Sequence, residues 1–286
     1  MNKFVFTAGV LAFMIALLIG FIPTHARAAT VAGSLDATFG NAGVVLTNVG
    51  ENAQPSDVVQ QSNGDIVVSA RISNSFGVVR YLPNGSMVTT FGNGGVAIAK
   101  FSASISSSAR ALALQPDGMI VLVGGVEPTS GGLMEFGVAR FTTNGTLDAT
   151  FGNGGTVETQ FFAPTSARAF EVVDTVVVQP DGKLVVGGSA TQGVRFSPTF
   201  TVLTRYNSNG SLDTTFGNGG KALADLPIPV IANSVNGADA LGLDRLGDIF
   251  VLNHAVIAEF SAAGRLDATV QPASITASSH GGVNAF

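Results

Sequence analysis

The sequence predicts an all-β protein, a β-propeller of four-stranded antiparallel blades, with four complete blades and part of a fifth. Three observations carry that expectation. A ten-residue phrase recurs: "SLDATFGNAG" at 34–43, "SMVTTFGNGG" at 86–95, "TLDATFGNGG" at 146–155 and "SLDTTFGNGG" at 211–220. Its aromatic residues Phe39, Phe91, Phe151 and Phe216 stand 52, 60 and 65 residues apart, and a degenerate copy, "RLDATV", puts Val270 in the Phe slot 54 residues further on. Self-similarity at such a period points to propellers or arrays. Between the phrases lie short apolar runs broken by Asn-Gly and Asp-Gly pairs, with no helical period after the first 28 residues.

The first element is not part of that pattern. Lys3 precedes an apolar run from Phe4 to Ile22, and "HARAAT" follows with Ala26 and Ala28 in small-x-small spacing. This reads as a cleaved Sec-type signal over residues 1–28, with the propeller over 29–286. The rival is a membrane anchor, since the run is nearly long enough to span a bilayer. With the signal removed, no other stretch reaches a membrane-spanning length, and the protein is expected in the periplasm, at the cell surface or in the medium.

Each repeat is then read as four strands in a meander. The first follows the Gly-Gly: "VVLT", "VAIA", "TVET", "KALA". The second ends in a turn pair, as in "ALALQPDGM" and "VVVQPDGK", and the third follows at once, as in "IVLVGG" and "LVVGG". Gly accepts the positive φ that such tight hairpins need. The fourth, as in "FGVARFTTNG" and "TVLTRYNSNG", leads back to the phrase. The blades so drawn span 44–91, 96–151, 156–216 and 221–270, and 271–286 would be a partial blade or a closing strand. One such sheet cannot bury both faces; several stacked about an axis can. A β-solenoid is the structural rival, with shorter repeats than these.

The pattern "G-S-L-D-x-T-F-G-x-G-G", then "A-L-x-P-D-G-x-I-V-V-x-G", then "F-x-V-A-R-Y-x-x-N-G" resembles the delta-60 repeat, a secreted bacterial β-propeller module of unassigned function. The resemblance covers 34 to about 270 and implies a fold but no reaction. The Pro-Asp-Gly hairpins are more weakly similar to those of NHL propellers. The second copy departs from the phrase, with Met87-Val88 for Leu-Asp, and the last copy loses both Phe and Gly-Gly.

Composition excludes several functions. The 286 residues hold 14 basic and 19 acidic side chains; loss of Lys3 and Arg27 with the signal leaves a net charge near −7. Nucleic acid as a partner needs clustered positive charge instead. No cysteine is present, so neither a disulfide nor a cysteine-linked lipid anchor can form. The only histidines beyond the signal, His254 and His280, lack ligand spacing, and no metal or other cofactor is expected. No Gly-x-Ser-x-Gly elbow marks a nucleophile.

The repeated phrase has two readings. One Asp per blade, at Asp36, Asp148, Asp213 and Asp267, could form a ring of cation sites. Calcium loops, however, carry several oxygen ligands at close spacing and a later Glu, and nothing like that follows here. The favoured reading is structural: Asp accepts backbone N–H groups two residues on, and Phe39, Phe91, Phe151 and Phe216 plug the space between blades. Arg80, Arg140 and Arg205 share one slot in the fourth strand. An anion site is one reading; the favoured one pairs Arg140 with Asp148 and Arg205 with Asp213 across the turn. The Asn-Gly-Ser/Thr triplets at Asn84, Asn144 and Asn209 match glycosylation acceptors, but they fall on the hairpin turn of each good repeat. Paired carboxylates for glycoside chemistry would come from Glu51, Glu127, Glu135, Glu158, Glu171, Asp174 or Asp225.

In a four-strand meander alternate loops share one end. The Asp-Gly hairpins and the repeated phrase therefore lie on one face, nearly identical in every blade. The opposite face carries loops that vary, among them "QFFAPTSARAFE" and "SATQGVRFSPTF". Binding diversity sits on such loops, and Phe161, Phe162, Arg168, Phe196 and Phe200 of the third blade are the candidate binding residues; the competing reading makes these aromatics core. The expected function is a scaffold that binds a protein or glycan without catalysis, with self-association if the ring is incomplete. The alternative is an extracellular propeller enzyme, a hydrolase or lyase acting on a polymer.

Overall fold

The computed structural model describes residues 3–7, 33–101, 104–128, 134–162, 170–191, 199–226, 237–253 and 256–270. Among them every regular element is a strand. Two strands stand apart, β1 (Lys3–Thr7) and β2 (Val44–Asn48), paired antiparallel. Four antiparallel sheets follow. Blade 1 is β3 (Gln54–Gln60), β4 (Ile66–Ile72), β5 (Ser75–Tyr81) and β6 (Val96–Ala99); blade 2 is β7 (Ser106–Leu114), β8 (Ile120–Glu127), β9 (Glu135–Phe141) and β10 (Thr156–Thr159). Blade 3 is β11 (Glu171–Val178), β12 (Leu184–Thr191), β13 (Thr199–Tyr206) and β14 (Lys221–Ala224); blade 4 is β15 (Ala240–Leu243), β16 (Ile249–Asn253), β17 (Val256–Phe260) and β18 (Leu266–Val270). The chain is an all-β propeller of four such blades.

The hairpins form where the sequence places them. Gly64, Gly118 and Gly182 have φ of 88°, 83° and 81°, the left-handed conformation that a side chain resists. The residue before each Gly caps the turn: the Asn63, Asp117 and Asp181 Oδ1 atoms accept the N–H groups of Asp65, Met119 and Lys183. The second strand of each blade is sandwiched by its neighbours, and β4, β8 and β12 are buried on both faces over nearly their whole length. Hence each opens with a run of consecutive apolar residues rather than with alternation.

The blade boundaries differ from those of the sequence repeat. The run after each Gly-Gly is the last strand of the preceding blade, not the first of the next: Val96 pairs with Val79, Thr156 with Ala139 and Lys221 with Thr204. Within the described residues the sheets thus span 54–99, 106–159, 171–224 and 240–270, in place of 44–91, 96–151, 156–216 and 221–270. The cause is the reversal at the glycine pairs. Gly94 and Gly95 have φ of 63° and 97°, and the Gly95 N–H closes on the Phe91 carbonyl, which turns the chain back along its own sheet. In blade 4 the phrase has neither Phe nor Gly-Gly, does not turn away, and continues as β18 beside β17. Residues 271–286, expected as a partial blade or closing strand, lie outside the described residues.

Apolar cores join consecutive blades. Val67, Phe76 and Phe91 meet Leu112, Ile120 and Leu122 between blades 1 and 2; Val121, Val138 and Phe151 meet Leu184, Val186 and Tyr206 between blades 2 and 3; Val185, Leu203 and Phe216 meet Ile249, Val251 and Phe260 between blades 3 and 4. A fourth cluster packs Phe39, Val45 and Val49 on Ile66, Val68 and Tyr81. So β2 lies on blade 1 as β6 lies on blade 2. The far side of blade 4 is bare by comparison: Phe250 and Ile257 are 36% and 43% exposed, whereas Val121 and Val138 at the same places in blade 2 are 0% exposed.

Candidate functional site

The repeated phrase is a staple between blades. Asp36, Asp148 and Asp213 each accept, on Oδ1, the N–H and hydroxyl of the Thr two residues on, Thr38, Thr150 and Thr215. The other oxygens of Asp148 and Asp213 take Arg140 and Arg205 at 2.7 and 2.8 Å. Each guanidinium stacks on the Phe of its own phrase: Arg80 on Phe91 at 4.7 Å, Arg140 on Phe151 at 4.5 Å and Arg205 on Phe216 at 4.6 Å. Each then donates to a main-chain carbonyl in the next blade, at Thr143, Ser208 and Ala262. One residue past the Phe, the N–H groups of Gly40, Gly92, Gly152 and Gly217 donate to Asn84, Asn144, Asn209 and Ala263. Arg80 lacks the phrase Asp, since Val88 occupies that slot, and sits 3.7 Å from Asp65 instead. Asp267 pairs with exposed Arg265 at 2.8 Å.

Electrostatics match that geometry. Burial alone would raise Asp213, but Thr215, Lys183 and Arg205 outweigh it and hold the carboxyl below the usual range. Asp148 behaves alike: burial raises it, and Thr150 and Arg140 bring it down past its ordinary value. Among the described residues no group of three or more His, Cys, Asp or Glu side chains is placed to hold a metal ion. An open depression of about 560 Å³ lies on the repeated face, lined by Gln115, Arg140, Thr150, Ser208 and Asn209 among others. Its floor is the staple between blades 2 and 3.

The opposite face differs from blade to blade, and blade 3 departs furthest. Phe161 is 8% exposed and belongs to the core between blades 2 and 3, where Phe101 holds the matching place one blade earlier. Phe162 and Phe200 are half-buried and pack on that core. The rings form a chain: Phe161 to Phe162 at 5.1 Å and Phe162 to Phe200 at 6.0 Å, both edge-on. At the matching positions blade 2 carries Ser102 and Glu135. Arg168 and Phe196 lie outside the described residues.

Beneath the rings sits Glu171, at the start of β11 and 4% exposed. Its Oε1 accepts the N–H groups of Phe161 and Phe162 at 2.7 and 3.0 Å. Its Oε2 is buried with no hydrogen-bond partner among the described residues. Burial pushes the carboxyl up to about 7, against the two N–H bonds and the Lys221 charge, and the Glu135 charge adds to the rise. Lys221 donates to the Gln160 and Phe161 carbonyls. Burial raises Tyr206 to about 12; the Thr159 and Thr204 hydroxyls oppose the rise and the Glu171 charge adds to it. Glu135 is raised by burial and by Glu158. Of the seven carboxylates singled out in the sequence, Glu135 is within electrostatic reach of both Glu158 and Glu171, while Asp174 feels Arg110 and Asp239 instead.

Sequence reasoning did not single out Lys221 or Tyr206. It also missed a regular feature of the innermost strands. The register slips between Pro55 and Asp57, between Ala109 and Ala111, and between Val173 and Thr175. The extra residues are Ser56, Arg110 and Asp174. In blade 4 the Asp239 N–H bonds the Leu252 carbonyl just ahead of the Ala240–Leu252 pair, the same place in the strand. A signal was present: each stands eight residues before its hairpin glycine, Gly64, Gly118, Gly182 or Gly247.

Four-stranded blades, repeated staples and bulged inner strands define a β-propeller protein. Residues 61–91, 115–151 and 179–216 match the model of a β-propeller domain of unknown function, DUF5122, each match running from the hairpin Gln to the Phe of the phrase. No curated protein matches the chain. Among solved structures it is similar to a catalytically inactive virginiamycin B lyase from Staphylococcus aureus with quinupristin, at 12% identity over 81% of this chain and 59% of that one (TM-score 0.45). It is also similar to a protein of unknown function from Bacteroides caccae, at 9% identity over 81% and 72% (TM-score 0.45). A gluconolactonase from Xanthomonas campestris shows 11% identity over 76% and 62% (TM-score 0.43). The chain thus spans less than two thirds of the length of the lyase and of the gluconolactonase.

Proposed function

We propose that this is a secreted, periplasmic or cell-surface propeller of the delta-60 repeat kind, acting as a non-enzymatic scaffold that binds a protein or glycan on the variable face of blade 3. One observation supports this above the rest. Phe162 and Phe200 are half-buried rings packed on the core between blades 2 and 3, at positions that are polar in blade 2. Aromatics that keep part of the ring open on a rigid support are what stacking on a sugar ring or a partner's apolar side chain needs. The test is a glycan array and a pull-down with the chain lacking residues 1–28, repeated with the Phe162→Ser/Phe200→Ser variant. The reading expects a specific ligand whose binding the double variant abolishes while thermal unfolding stays cooperative. Binding that survives the change would place the ligand elsewhere.

A second reading, an extracellular hydrolase or lyase acting on a polymer, draws support from Glu171. A buried carboxyl that titrates near neutrality is suited to general acid–base work. Under it, Glu171→Gln abolishes turnover of a polysaccharide substrate; under the scaffold reading no turnover is seen with either form.

A further inference from the structure

Seven Asn-Gly pairs lie within the described residues, and the fold treats them in two ways. Four close hairpins: Asn63-Gly64, Asn84-Gly85, Asn144-Gly145 and Asn209-Gly210. There the glycine N–H donates to the carbonyl of Gln61, Leu82, Thr142 or Asn207, and the Asn Oδ1 accepts the N–H two residues on. The other three make the backward turn that ends a phrase: Asn93-Gly94, Asn153-Gly154 and Asn218-Gly219. All six of these residues are exposed. Neither the Asn side chains nor the glycine N–H groups have a hydrogen-bond partner among the described residues. A Cβ at any of the three glycines would meet nothing within 4 Å, so the space beside the nitrogen is open.

An asparagine amide held by nothing thus precedes an unhindered main-chain nitrogen held by nothing. We propose that Asn93, Asn153 and Asn218 are sites of spontaneous deamidation, which the fold favours over the four hairpin asparagines. The glycine nitrogen attacks the Asn Cγ. An N–Cγ bond forms, the Cγ–Nδ2 bond breaks, and Nδ2 leaves as ammonia with the proton lost by the glycine nitrogen. The succinimide so formed takes up one water, which breaks one of its two ring C–N bonds. Opening at Cγ gives Asp; opening at the main-chain carbonyl gives isoaspartate, whose main chain runs through the former side chain. No oxidation or reduction occurs, and each event adds one negative charge. The place matters: the N–H and carbonyl of Asn93 both bond Val96, and those of Asn153 both bond Thr156. Isoaspartate therefore lengthens the turn that lays β6 or β10 on its own blade. The inference does not rest on the binding function proposed above.

The purified protein is aged at pH 8 below its melting temperature, both folded and in urea. Peptide mapping by mass spectrometry reads amide-to-acid conversion at each site, and enzymatic methylation reads isoaspartate. In the folded chain Asn93, Asn153 and Asn218 are expected to convert at least tenfold faster than the hairpin asparagines, where two hydrogen bonds must break first. In urea all seven are expected to convert at similar rates. Gly94→Ala adds a methyl group beside the nitrogen and is expected to slow Asn93 at least tenfold, with Asn153 and Asn218 unchanged as internal clocks. The fold accepts alanine there, since Ala42 holds the same place in the first phrase at a φ of 52°. Equal rates at all seven sites in the folded chain, faster conversion of the hairpin asparagines, the same ranking in urea, or an Asn93 rate untouched by Gly94→Ala would each overturn the proposal.

Discussion

Replacing Glu171 by Gln is expected to stabilise the protein above neutral pH and to change little in mild acid. The carboxyl is 4% exposed and titrates near 7, against 4.5 ordinarily. Between those values the folded chain holds a proton that the unfolded chain has lost. Stability therefore falls as pH rises through this window: the contribution is whole below about 4.5 and gone above about 7. At about 1.4 kcal/mol per pH unit the full loss is about 3 kcal/mol. Gln keeps an acceptor for the Phe161 and Phe162 N–H groups and removes the buried charge. Urea unfolding of both proteins from pH 5 to pH 9 measures the difference. We expect the variant to be more stable by about 2–3 kcal/mol at pH 8, or roughly 4–12 °C in Tm, and the gap to close toward pH 5. Asp148 and Asp213 titrate in both proteins and cancel in the comparison, whereas Glu135, coupled to Glu171 by charge, is relieved by the substitution and adds to the gain in the same direction. A gap independent of pH, or a variant less stable at pH 8, would refute the assignment of a buried charge at this junction.

Three further outcomes follow from the staple and its neighbours. Asp213→Asn leaves buried Arg205 without its carboxylate and should cost about 3–5 kcal/mol at pH 7. Because Asp213 is held below the usual range, that stability is present above about 3.8 and is lost as pH falls through its folded value, so urea midpoints of the two proteins should converge in strong acid. Gly145→Ala would put a Cβ 2.7 Å from the Gly92 nitrogen at a φ of 85°, whereas Gly94→Ala, at a φ of 63°, meets nothing within 4 Å. Both carry the backbone cost of about 1–2 kcal/mol, so the melting temperature should drop clearly further for Gly145→Ala. The Tyr81 hydroxyl donates to Thr47 at 2.9 Å in a buried setting; Thr47→Ala should cost about 1 kcal/mol, and a double-mutant cycle with Tyr81→Phe should show the two changes to be less than additive.

That last pair shows how much was legible in the chain itself. The residue four places after the second glycine of each phrase is Thr47, Ala99, Thr159 or Ala224, and the aromatic ending the third strand of the next blade is Tyr81, Phe141, Tyr206 or Phe260. Threonine accompanies tyrosine and alanine accompanies phenylalanine in all four cases. Period and turn chemistry were equally legible, because Gly64, Gly118 and Gly182 announce a conformation that other residues avoid. The phase of the repeat was not. A meander of four strands has the same period wherever it is cut, and only the backward turn at Gly94-Gly95 decides which sheet takes the run "VAIA". The aromatic-rich stretch of blade 3 was legible as a composition but not as a surface: Phe161 fills the core place that Phe101 fills in blade 2, and Phe162 beside it does not. The burial of Glu171 was invisible for the same reason, since it is set by how residues 160–162 fold over it.

The staple also explains which residues the repeat keeps and which it lets vary. Arg80, Arg140 and Arg205 all grip main-chain carbonyls, so the residues offering them, Thr143, Ser208 and Ala262, need share no side chain. The Asn84, Asn144 and Asn209 side chains, by contrast, each accept the N–H two residues on, from Ser86, Thr146 and Ser211, while their carbonyls take the Gly40, Gly92 and Gly152 N–H groups. Turn formation and blade docking together account for Asn at those three places, with no glycan required. In blade 4 the Arg slot is Glu259 and the Phe slot is Val270, so the side chains that grip the next blade elsewhere are replaced where Phe250 and Ile257 stand exposed, and the Asn slot, which meets blade 3, is Ala263. The backbone half of the staple survives even there, since Ala263 still accepts the Gly217 N–H. Blade 4 is therefore built to be held by blade 3 without holding a successor in the same way.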